Sequence, residues 1–371
     1  MNRTWSRWVP AAVVPAVVAV YALAGPAFAG AVDLPTKTPE QVLQLIGQSH
    51  VQALSGTLEQ TSHLGLPELP TGGPAGSGGA AAALDLLTRT HTARVYLDGP
   101  TNARVQVLDS LAERDVVRHG TDVWFFSSQT DTATHLTLPA GAAEKAGPTT
   151  PPDMPTPAQL AHHFVTAIGP STRVSVEKDV TVAGRAAYQL VLAPRAAGTL
   201  IGSVSIAVDS RSGLPLRVTV SATGQAKPAF QLGFTALSLT TPPAARFEFT
   251  PPVGATLTQQ ALPQGLAKHE PAGRAAADDS AAKAAAAHAH DGSPGPEPTV
   301  LGTGWDAVVV LPAGALPPEV TTSPIFSQVT RAFAGGRALH TALVNVFVTA
   351  DGRVLAGSVP LERLRAAAAG Q

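Results

Sequence analysis

The sequence predicts an α+β fold that is rich in β-strands and built around an antiparallel sheet. Residues 184–220 alternate apolar and polar side chains over three successive runs, which is the pattern of strands with one buried face. Residues 209–213, DSRSG, separate the last two runs and supply the Asp, Ser and Gly that a tight reversal needs. Two helix patterns, at residues 38–46 and 156–165, supply the α part of this class.

Further strand patterns extend the sheet on both sides of this region. Before it they lie at residues 54–61, 92–97, 103–108, 113–118, 122–127, 132–138 and 174–182. After it they lie at residues 230–234 and 246–252, where we expect the sheet to close. Because most of these strands are joined by short connections, the pattern predicts a meander.

Both helices begin with recognisable N-terminal signals. Thr38 is the predicted N-cap of the first helix, with Pro39 at the first helical position and Gln41 at the capping-box position. The second helix also has a proline, Pro157, at its first position. The apolar stripe of the first helix consists of Val42, Leu45 and Ile46.

Composition excludes some classes of function. The chain has 371 residues, of which 44% are hydrophobic and 14% charged, and its formal net charge is -1. Since no stripe of Lys and Arg is present, the sequence predicts no binding to nucleic acid. The chain has no cysteine, so its core must be stable without disulfides.

The N-terminus has the pattern of a secretory signal peptide. Arg3 and Arg7 precede an apolar run, and the sequence Ala27-Phe-Ala29 supplies an A-x-A cleavage site, so residues 1–29 are the predicted signal. Without an Arg-Arg pair, export follows the Sec route, to the cell envelope or the medium. A retained membrane anchor is the alternative, although prolines leave an uninterrupted stretch shorter than the ~20 residues of a span.

The mature chain divides into three parts. Residues 30–258 carry the strand patterns, residues 259–298 form a linker rich in Ala, Gly and Pro, and residues 299–371 resume globular patterning. The last part is too small to support its own core, so we expect it to dock on the main sheet, with a hairpin turn at residues 350–353. The Gly- and Pro-rich residues 64–82 are either an inserted surface loop or a mobile lid.

Residue patterns of catalysis and metal binding are missing from the sequence. Neither GxSxG, HExxH, a P-loop nor GxGxxG occurs in a suitable context. His162 and His163 are adjacent on a helix and point apart, which is poor geometry for a shared metal ion. His288, His290 and the Asp278-Asp279 pair lie in the low-complexity linker. The sequence therefore predicts a protein that is not an enzyme and needs no cofactor or metal.

Apolar bulk on both faces of one strand allows two interpretations. Trp124 and Phe126 share one face of their strand, while Val123 and Phe125 share the other. One face could pack on the two helices and the other on the C-terminal segment. All this bulk is then either dry core, or the lining of an apolar cavity that the helices only partly fill.

Three segments together resemble the LolA/LolB family of periplasmic lipoprotein carriers. The first is residues 120–127, GTDVWFFS, with a turn before a Trp-centred strand. The second is residues 187–194, AYQLVLAP, followed by the strand and the Asp…Gly-Leu-Pro hairpin of residues 204–216. The third is residues 234–239 with residues 247–254, FEFTPPVG, which is similar to the closing signature of the family. The resemblance covers residues 38–258.

This resemblance implies an open half-barrel, a strongly curved antiparallel sheet with helices over its concave face and a cavity for acyl chains. The implied function is to bind or carry a lipid or lipoprotein acyl chain outside the cytoplasm. Each buried methylene would contribute about 0.8 kcal/mol. The candidate cavity residues are Val42, Leu45, Ile46, Val105, Val107, Trp124, Phe126, Leu190, Ile206 and Val218.

Departures from the family support competing hypotheses. The 64–82 loop, the linker and the C-terminal segment do not belong to a minimal carrier. Related RseB/MucB-type regulators add a second domain to the same sheet and bind an anti-sigma factor, so a regulatory module with a membrane-anchored envelope partner is the alternative function. A purely structural envelope protein with a filled core is a third hypothesis. High Ala, Gly and Pro usage fits a GC-rich, actinobacterial member.

Overall fold

The fold is that of a computed structural model, which describes residues 33–66, 90–108, 112–139, 155–260 and 298–370. The predicted signal peptide, most of the 64–82 loop and nearly all of the 259–298 linker lie outside these residues. Within the described part of the chain, no helix combines the length and the apolar character needed to cross a membrane.

Twelve strands form the main sheet. They are β1 (Ala53–Ser62), β2 (His91–Asp98), β3 (Asn102–Leu108), β4 (Glu113–His119), β5 (Asp122–Ser127), β6 (Thr132–Thr137), β7 (Thr172–Val182), β8 (Arg185–Pro194), β9 (Ile201–Asp209), β10 (Pro215–Ala222), β11 (Phe230–Ser238) and β12 (Thr256–Gln260). Their spatial order is β12-β6-β5-β4-β3-β2-β1-β11-β10-β9-β8-β7. The pairs are antiparallel except β12 with β6, which is parallel.

The main sheet is an open, curved half-barrel, as the resemblance predicted. β12 and β7 lie at opposite ends of the strand order and are not paired with each other. Two meanders, β2 to β6 and β7 to β11, make up most of the sheet, and β1 joins them by pairing with both β2 and β11. The predicted α+β class and the predicted meander connections are therefore confirmed.

Two short helices, α1 (Pro39–Gly47) and α2 (Pro157–Thr166), lie against this sheet. Thr38 Oγ1 accepts a hydrogen bond from the Gln41 amide at 3.3 Å, and Gln41 Oε1 accepts one from the Thr38 amide at 2.9 Å. Thr156 and Gln159 repeat this reciprocal capping box at the start of α2. These contacts satisfy amides that have no partner inside the helix, so the predicted helix starts are confirmed.

Alternation along the strands divides the main sheet into two faces. The helix-covered face carries Val95, Val105, Leu190, Ile206 and Val218, which are at most 1% exposed. Val42 of α1 and Ala161 of α2 are fully buried in the same cluster as the last three. The alternate residues of the same strands lie on the opposite face of the sheet, which we call the outer face. Arg104, Trp124, Gln189, Ser205 and Arg217 lie on this outer face.

The predicted closing strand at residues 246–252 is wrong. A 3₁₀ helix, Ala244–Phe247, occupies its first part, and the strand that follows is β12 at Thr256–Gln260. The Pro242-Pro243 and Pro251-Pro252 pairs flank this region, and a proline lacks the N–H that a strand donates to its neighbour. Phe247 is nevertheless buried, as its place in the predicted strand implied, although its backbone is part of the 3₁₀ helix and not of a strand.

A second sheet follows in the C-terminal segment. Its strands are β13 (Thr299–Leu301), β14 (Val308–Leu311), β15 (Arg331–Phe333), β16 (Gly336–His340), β17 (Asn345–Thr349) and β18 (Val354–Gly357), with helices α3 (Pro318–Thr321), α4 (Pro324–Val329) and α5 (Leu361–Ala369). The predicted hairpin turn at residues 350–353 joins β17 to β18. Val308, Phe347, Leu355 and Leu364 form a separate apolar cluster, although the segment was predicted to be too small for a core of its own.

The two sheets are in contact. Trp305 Nε1 donates a hydrogen bond to Thr172 Oγ1 at 2.8 Å, and the Leu200 amide donates one to the Ser358 carbonyl at 2.8 Å. Trp305 and Leu343 pack against the apolar cluster that α1 and α2 cover, and not on the opposite face as the sequence suggested.

The helices are shorter than the strands that they cover. A helix of ten residues such as α2 is about 15 Å long, whereas a strand of nine residues such as β9 is about 30 Å long. α2 therefore cannot cover the strands completely.

The turn between β9 and β10 depends on one buried carboxylate. Asp209 Oδ1 accepts hydrogen bonds from the amides of Arg211 and Ser212 at 3.1 and 2.7 Å, and its Oδ2 accepts one from Arg185 Nε at 2.6 Å. Burial opposes ionisation of this carboxyl, but the hydrogen bonds from Arg185 and Ser212 outweigh it and hold the pKa of Asp209 below its usual value. The ionised carboxylate therefore stabilises the folded state.

Replacing Asp209 by asparagine is expected to lower the free energy of unfolding by about 2 kcal/mol, because Arg185 loses its anionic partner in a partly buried site. Urea unfolding at pH 7 measures the loss. Asp351→Asn is the matched control, since its ion pair with Arg353 lies in an exposed hairpin turn, and it should change the stability far less.

The sign of the pH dependence follows from the lowered pKa. The stabilisation is complete above the ordinary aspartate pKa of about 4 and is lost as the pH falls through the lower folded-state pKa. The stability difference between the natural chain and Asp209→Asn should therefore shrink in acid. A difference that grows on acidification contradicts the assignment.

Candidate functional site

An apolar pocket lies between the helix-covered face and the start of α2. Its volume is about 230 Å³, and β1, β2, β11 and the β9–β10 turn supply most of its walls. The lining residues are Val51, Leu54, Val95, Leu97, Thr156, Ala158, Gln159, Leu214 and Phe234. We call this cavity the α2 pocket.

The floor of the α2 pocket is set by the register of three neighbouring strands. Leu54 of β1 lies opposite Leu97 of β2, and Leu58 of β1 lies opposite Phe234 of β11. Gly56 lies between the two leucines of β1, and a Cβ added there would come within 2.8 Å of the Phe234 ring. A glycine at this position therefore gives the aromatic ring the space in which it forms a wall of the pocket.

The polar atoms at the rim of the α2 pocket take part in the helix cap. Gln159 Oε1 accepts hydrogen bonds from the amide and the hydroxyl of Thr156 at 2.8 and 3.1 Å. The Thr156 oxygen accepts one from the Gln159 amide at 3.2 Å. No charged side chain is among the described residues that line the pocket. The chemistry of this site is accordingly the removal of apolar surface from water.

Most of the predicted cavity residues lie on the helix-covered face, as packed core and not as pocket lining. Val42, Leu190, Ile206 and Val218 are fully buried in one cluster, and Leu45 and Ile46 pack against it. Val105 and Val107 lie in the other cluster, together with Leu54 and Val95 of the pocket. The structure thus brings Val105 and Val107 next to the pocket floor, while the residues of the first cluster lie elsewhere under the helices.

Trp124 and Phe126 are on the outer face. Trp124 pairs with Val117, which pairs with Arg104, so its side chain points away from Val105. The Trp124 ring stacks on His135 at 4.3 Å, and Phe249 contacts the Trp124 and Phe126 rings at 5.5 and 5.9 Å. The structure does not bring these two aromatic residues together with the other predicted cavity residues.

Sequence reasoning did not select the residues that line the α2 pocket. The patterns at residues 54–61 and 92–97 predicted the two strands that contain Leu54, Val95 and Leu97, but not that these side chains share a face. Their proximity to Phe234 depends on the pairing of β1 with β11, which are far apart in the chain. Strand alternation alone cannot reveal such a pairing, because it fixes faces and not neighbours.

The His and Asp residues considered as metal ligands are exposed or lie outside the described residues. Within the described ranges, no group of three His, Cys, Asp or Glu side chains is arranged to hold a metal ion. His162 and His163 lie exposed on α2. The linker residues His288, His290, Asp278 and Asp279 are outside the described residues.

Comparisons with known proteins give matches among solved structures, whereas no family model and no curated sequence matches the chain. The complex of MucA and MucB from Pseudomonas aeruginosa matches with a TM-score of 0.40 and 16% identity, over 88% of this chain and 96% of that chain. A LolA superfamily protein from Nitrosomonas europaea matches with a TM-score of 0.23 and 10% identity, over 58% of this chain and 99% of that chain. A domain from Vibrio parahaemolyticus that is described as an outer-membrane lipoprotein-sorting protein matches with a TM-score of 0.22 and 10% identity. This match covers 57% of this chain and 96% of that chain.

These matches fall in the group of proteins that the three sequence segments resemble. What MucB or the LolA proteins bind is a property of those proteins.

Core and pocket positions should respond differently to loss of side-chain volume. Ile206→Ala is expected to lower the free energy of unfolding by about 3 kcal/mol, because it opens a cavity in close-packed surroundings. Leu97→Ala should cost about 1 kcal/mol, because the half-buried side chain borders space that is already empty. Urea unfolding with unchanged m-values tests both variants. Equal losses would mean that the α2 pocket is filled in solution.

Proposed function

We propose that this protein binds the end of an acyl chain, or another linear apolar ligand, in the α2 pocket without covalent chemistry. The observation that carries the proposal is the apolar lining of the pocket, with Leu54, Val95, Leu214 and Phe234 nearly buried around it. A ligand there would be recognised by shape and by burial of its methylenes, which contribute about 0.8 kcal/mol each.

The size of the pocket limits how much of a ligand it could hold. Its volume of about 230 Å³ exceeds the ~150 Å³ of an engineered apolar cavity that takes up benzene. It is smaller than the ~300–1,000 Å³ of sites that enclose drug-sized ligands. A terminal segment of a hydrocarbon chain fits this range, and the remainder of a long chain would lie outside the pocket.

The position of Ala158 offers a direct test. It is a small residue on the first turn of α2 and lies in the wall of the pocket, so Ala158→Phe should fill the space. We expect this variant to bind a fluorescent fatty acid at least about tenfold more weakly, because it excludes two or more methylenes. His162→Phe, which adds the same ring at an exposed position of the same helix, is the control.

Fluorescence titration of the full chain gives both affinities. If the natural chain shows no saturable uptake, or if Ala158→Phe binds as well as the control, the α2 pocket is not an acyl site.

The architecture also favours a second candidate function, a regulatory module that binds a membrane-anchored partner such as an anti-sigma factor. The supporting observation is the second sheet, which has its own apolar cluster and touches the main sheet through Trp305 and Leu343. Two sheets with separate cores could change their relative position when a ligand or a partner binds.

Co-purification from the cell envelope of the host distinguishes the two candidates. For a regulator we expect the full chain to retain one membrane-anchored protein at equal stoichiometry, and Trp305→Ala to weaken this retention by disturbing the contact with Thr172. For a carrier we expect bound lipid and no such protein.

A further inference from the structure

A polar groove runs across the outer face, opposite the side that α1 and α2 cover. It has a volume of about 350 Å³ and crosses the strands β7 to β11. Hydroxyl and amide side chains form most of its floor, namely Gln189, Ser203, Ser205, Thr219, Ser221 and Gln231. We call this cavity the outer groove. It shares no lining residue with the α2 pocket.

Two charged residues lie at its two sides. The register places Glu177 opposite Gln189, Gln189 opposite Ala207, and Ala207 opposite Arg217. Glu177 and Arg217 are thus three strand spacings apart, about 14 Å between backbones. Glu177 and Arg217 form no ion pair among the described residues, so the groove has an acidic side and a basic side.

The guanidinium of Arg217 has no partner among the described residues. Arg104 and Arg185 on the same sheet are each held by a buried aspartate, Asp115 and Asp209. For Arg217, in contrast, no hydrogen bond or ion pair with another described residue is found, and burial alone lowers the pKa of its guanidinium. A partly desolvated cation without an anion is unfavourable, and an anionic ligand would compensate for that loss.

Gly233 of β11 supports the arginine side chain. It lies directly opposite Arg217, and a Cβ added to it would come within 2.8 Å of Arg217 Cγ and 3.2 Å of Cδ. The aliphatic stem of Arg217 therefore lies against bare backbone at this position. Such packing restricts the side chain and leaves its planar head to bind a ligand.

From these observations we infer that the outer groove binds a small hydrophilic anion, namely a sugar that carries one carboxylate or phosphate. The fork of the Arg217 guanidinium matches two oxygens of such a group. The Ser, Thr and Gln side chains of the floor can both donate to and accept from sugar hydroxyls. Glu177 disfavours a second negative charge at the far side and can accept from a hydroxyl.

Titration calorimetry of the full chain with glucuronate, glucose 6-phosphate and glucose tests this inference. We expect saturable binding of at least one of the two anions, and binding of glucose that is about tenfold weaker or more, because only the anions form a charge-assisted pair. Affinity should also decrease as ionic strength rises.

Variants of Arg217 identify the group responsible. Arg217→Gln should weaken binding of the anion by about tenfold or more, while Arg211→Gln, at an exposed position of the β9–β10 turn, should leave it unchanged. Gly233→Ala keeps the charge but displaces the stem, so it should also weaken binding. Acyl uptake by Arg217→Gln should be normal, since the α2 pocket is on the opposite face.

The anionic sugar could be a free solute or the headgroup of a lipid. Sedimentation with phosphatidylcholine vesicles, with and without phosphatidylinositol, separates these sources: retention that needs both phosphatidylinositol and Arg217 indicates a headgroup, and binding of the soluble probes alone indicates a solute. The inference is overturned if neither probe nor vesicle binds, if glucose binds as well as the anions, or if binding persists in Arg217→Gln.

Discussion

The alternation of side chains along the strands is the constraint on which this structure depends. A sheet has two faces, and over β8 to β10 of this sheet one face is apolar and the other polar. Residues such as Leu190, Ile206 and Val218 lie on one face, and Gln189, Ser205 and Thr219 follow on the other in the same strands. Because a one-residue slip would exchange the faces, burial of the apolar side also fixes the register.

Two short helices and residues of the C-terminal segment together cover the apolar face. α1 and α2 each start with a proline after a threonine N-cap, which fixes where they begin. Because they are short, they leave parts of this face uncovered. Trp305 and Leu343 occupy one such place. The α2 pocket is another, and Ala158 is the α2 residue with the smallest side chain in its wall.

The order of the elements was largely predictable from the sequence, and the site was not. Most strand positions, the capping box of α1, the proline at the start of α2 and the turns at residues 209–213 and 350–353 are local features, and local patterns identified them. The strand expected at residues 246–252 failed because two Pro-Pro pairs remove backbone donors.

Contacts between side chains of different strands could not be predicted in the same way, because they depend on which strands pair and in which register. Leu54 and Phe234 meet only because β1 pairs with β11, and Trp124 lies away from Val105 only because of the register across β3, β4 and β5. The unpartnered state of Arg217 is likewise a property of the folded sheet, since the sequence does not reveal which acids lie near it.

The long-range pairing of β1 with β11 has a consequence for how this protein folds. Thr235 and Thr57, which are joined by a hydrogen bond across these strands, are 178 residues apart in the chain. Each meander can form from neighbouring hairpins, but their union must wait until β11 has been synthesised and a large loop has closed, which is slow. Until β1 and β11 pair, the edges that they present stay open to wrong partners, so this interval is when the chain is most prone to aggregate.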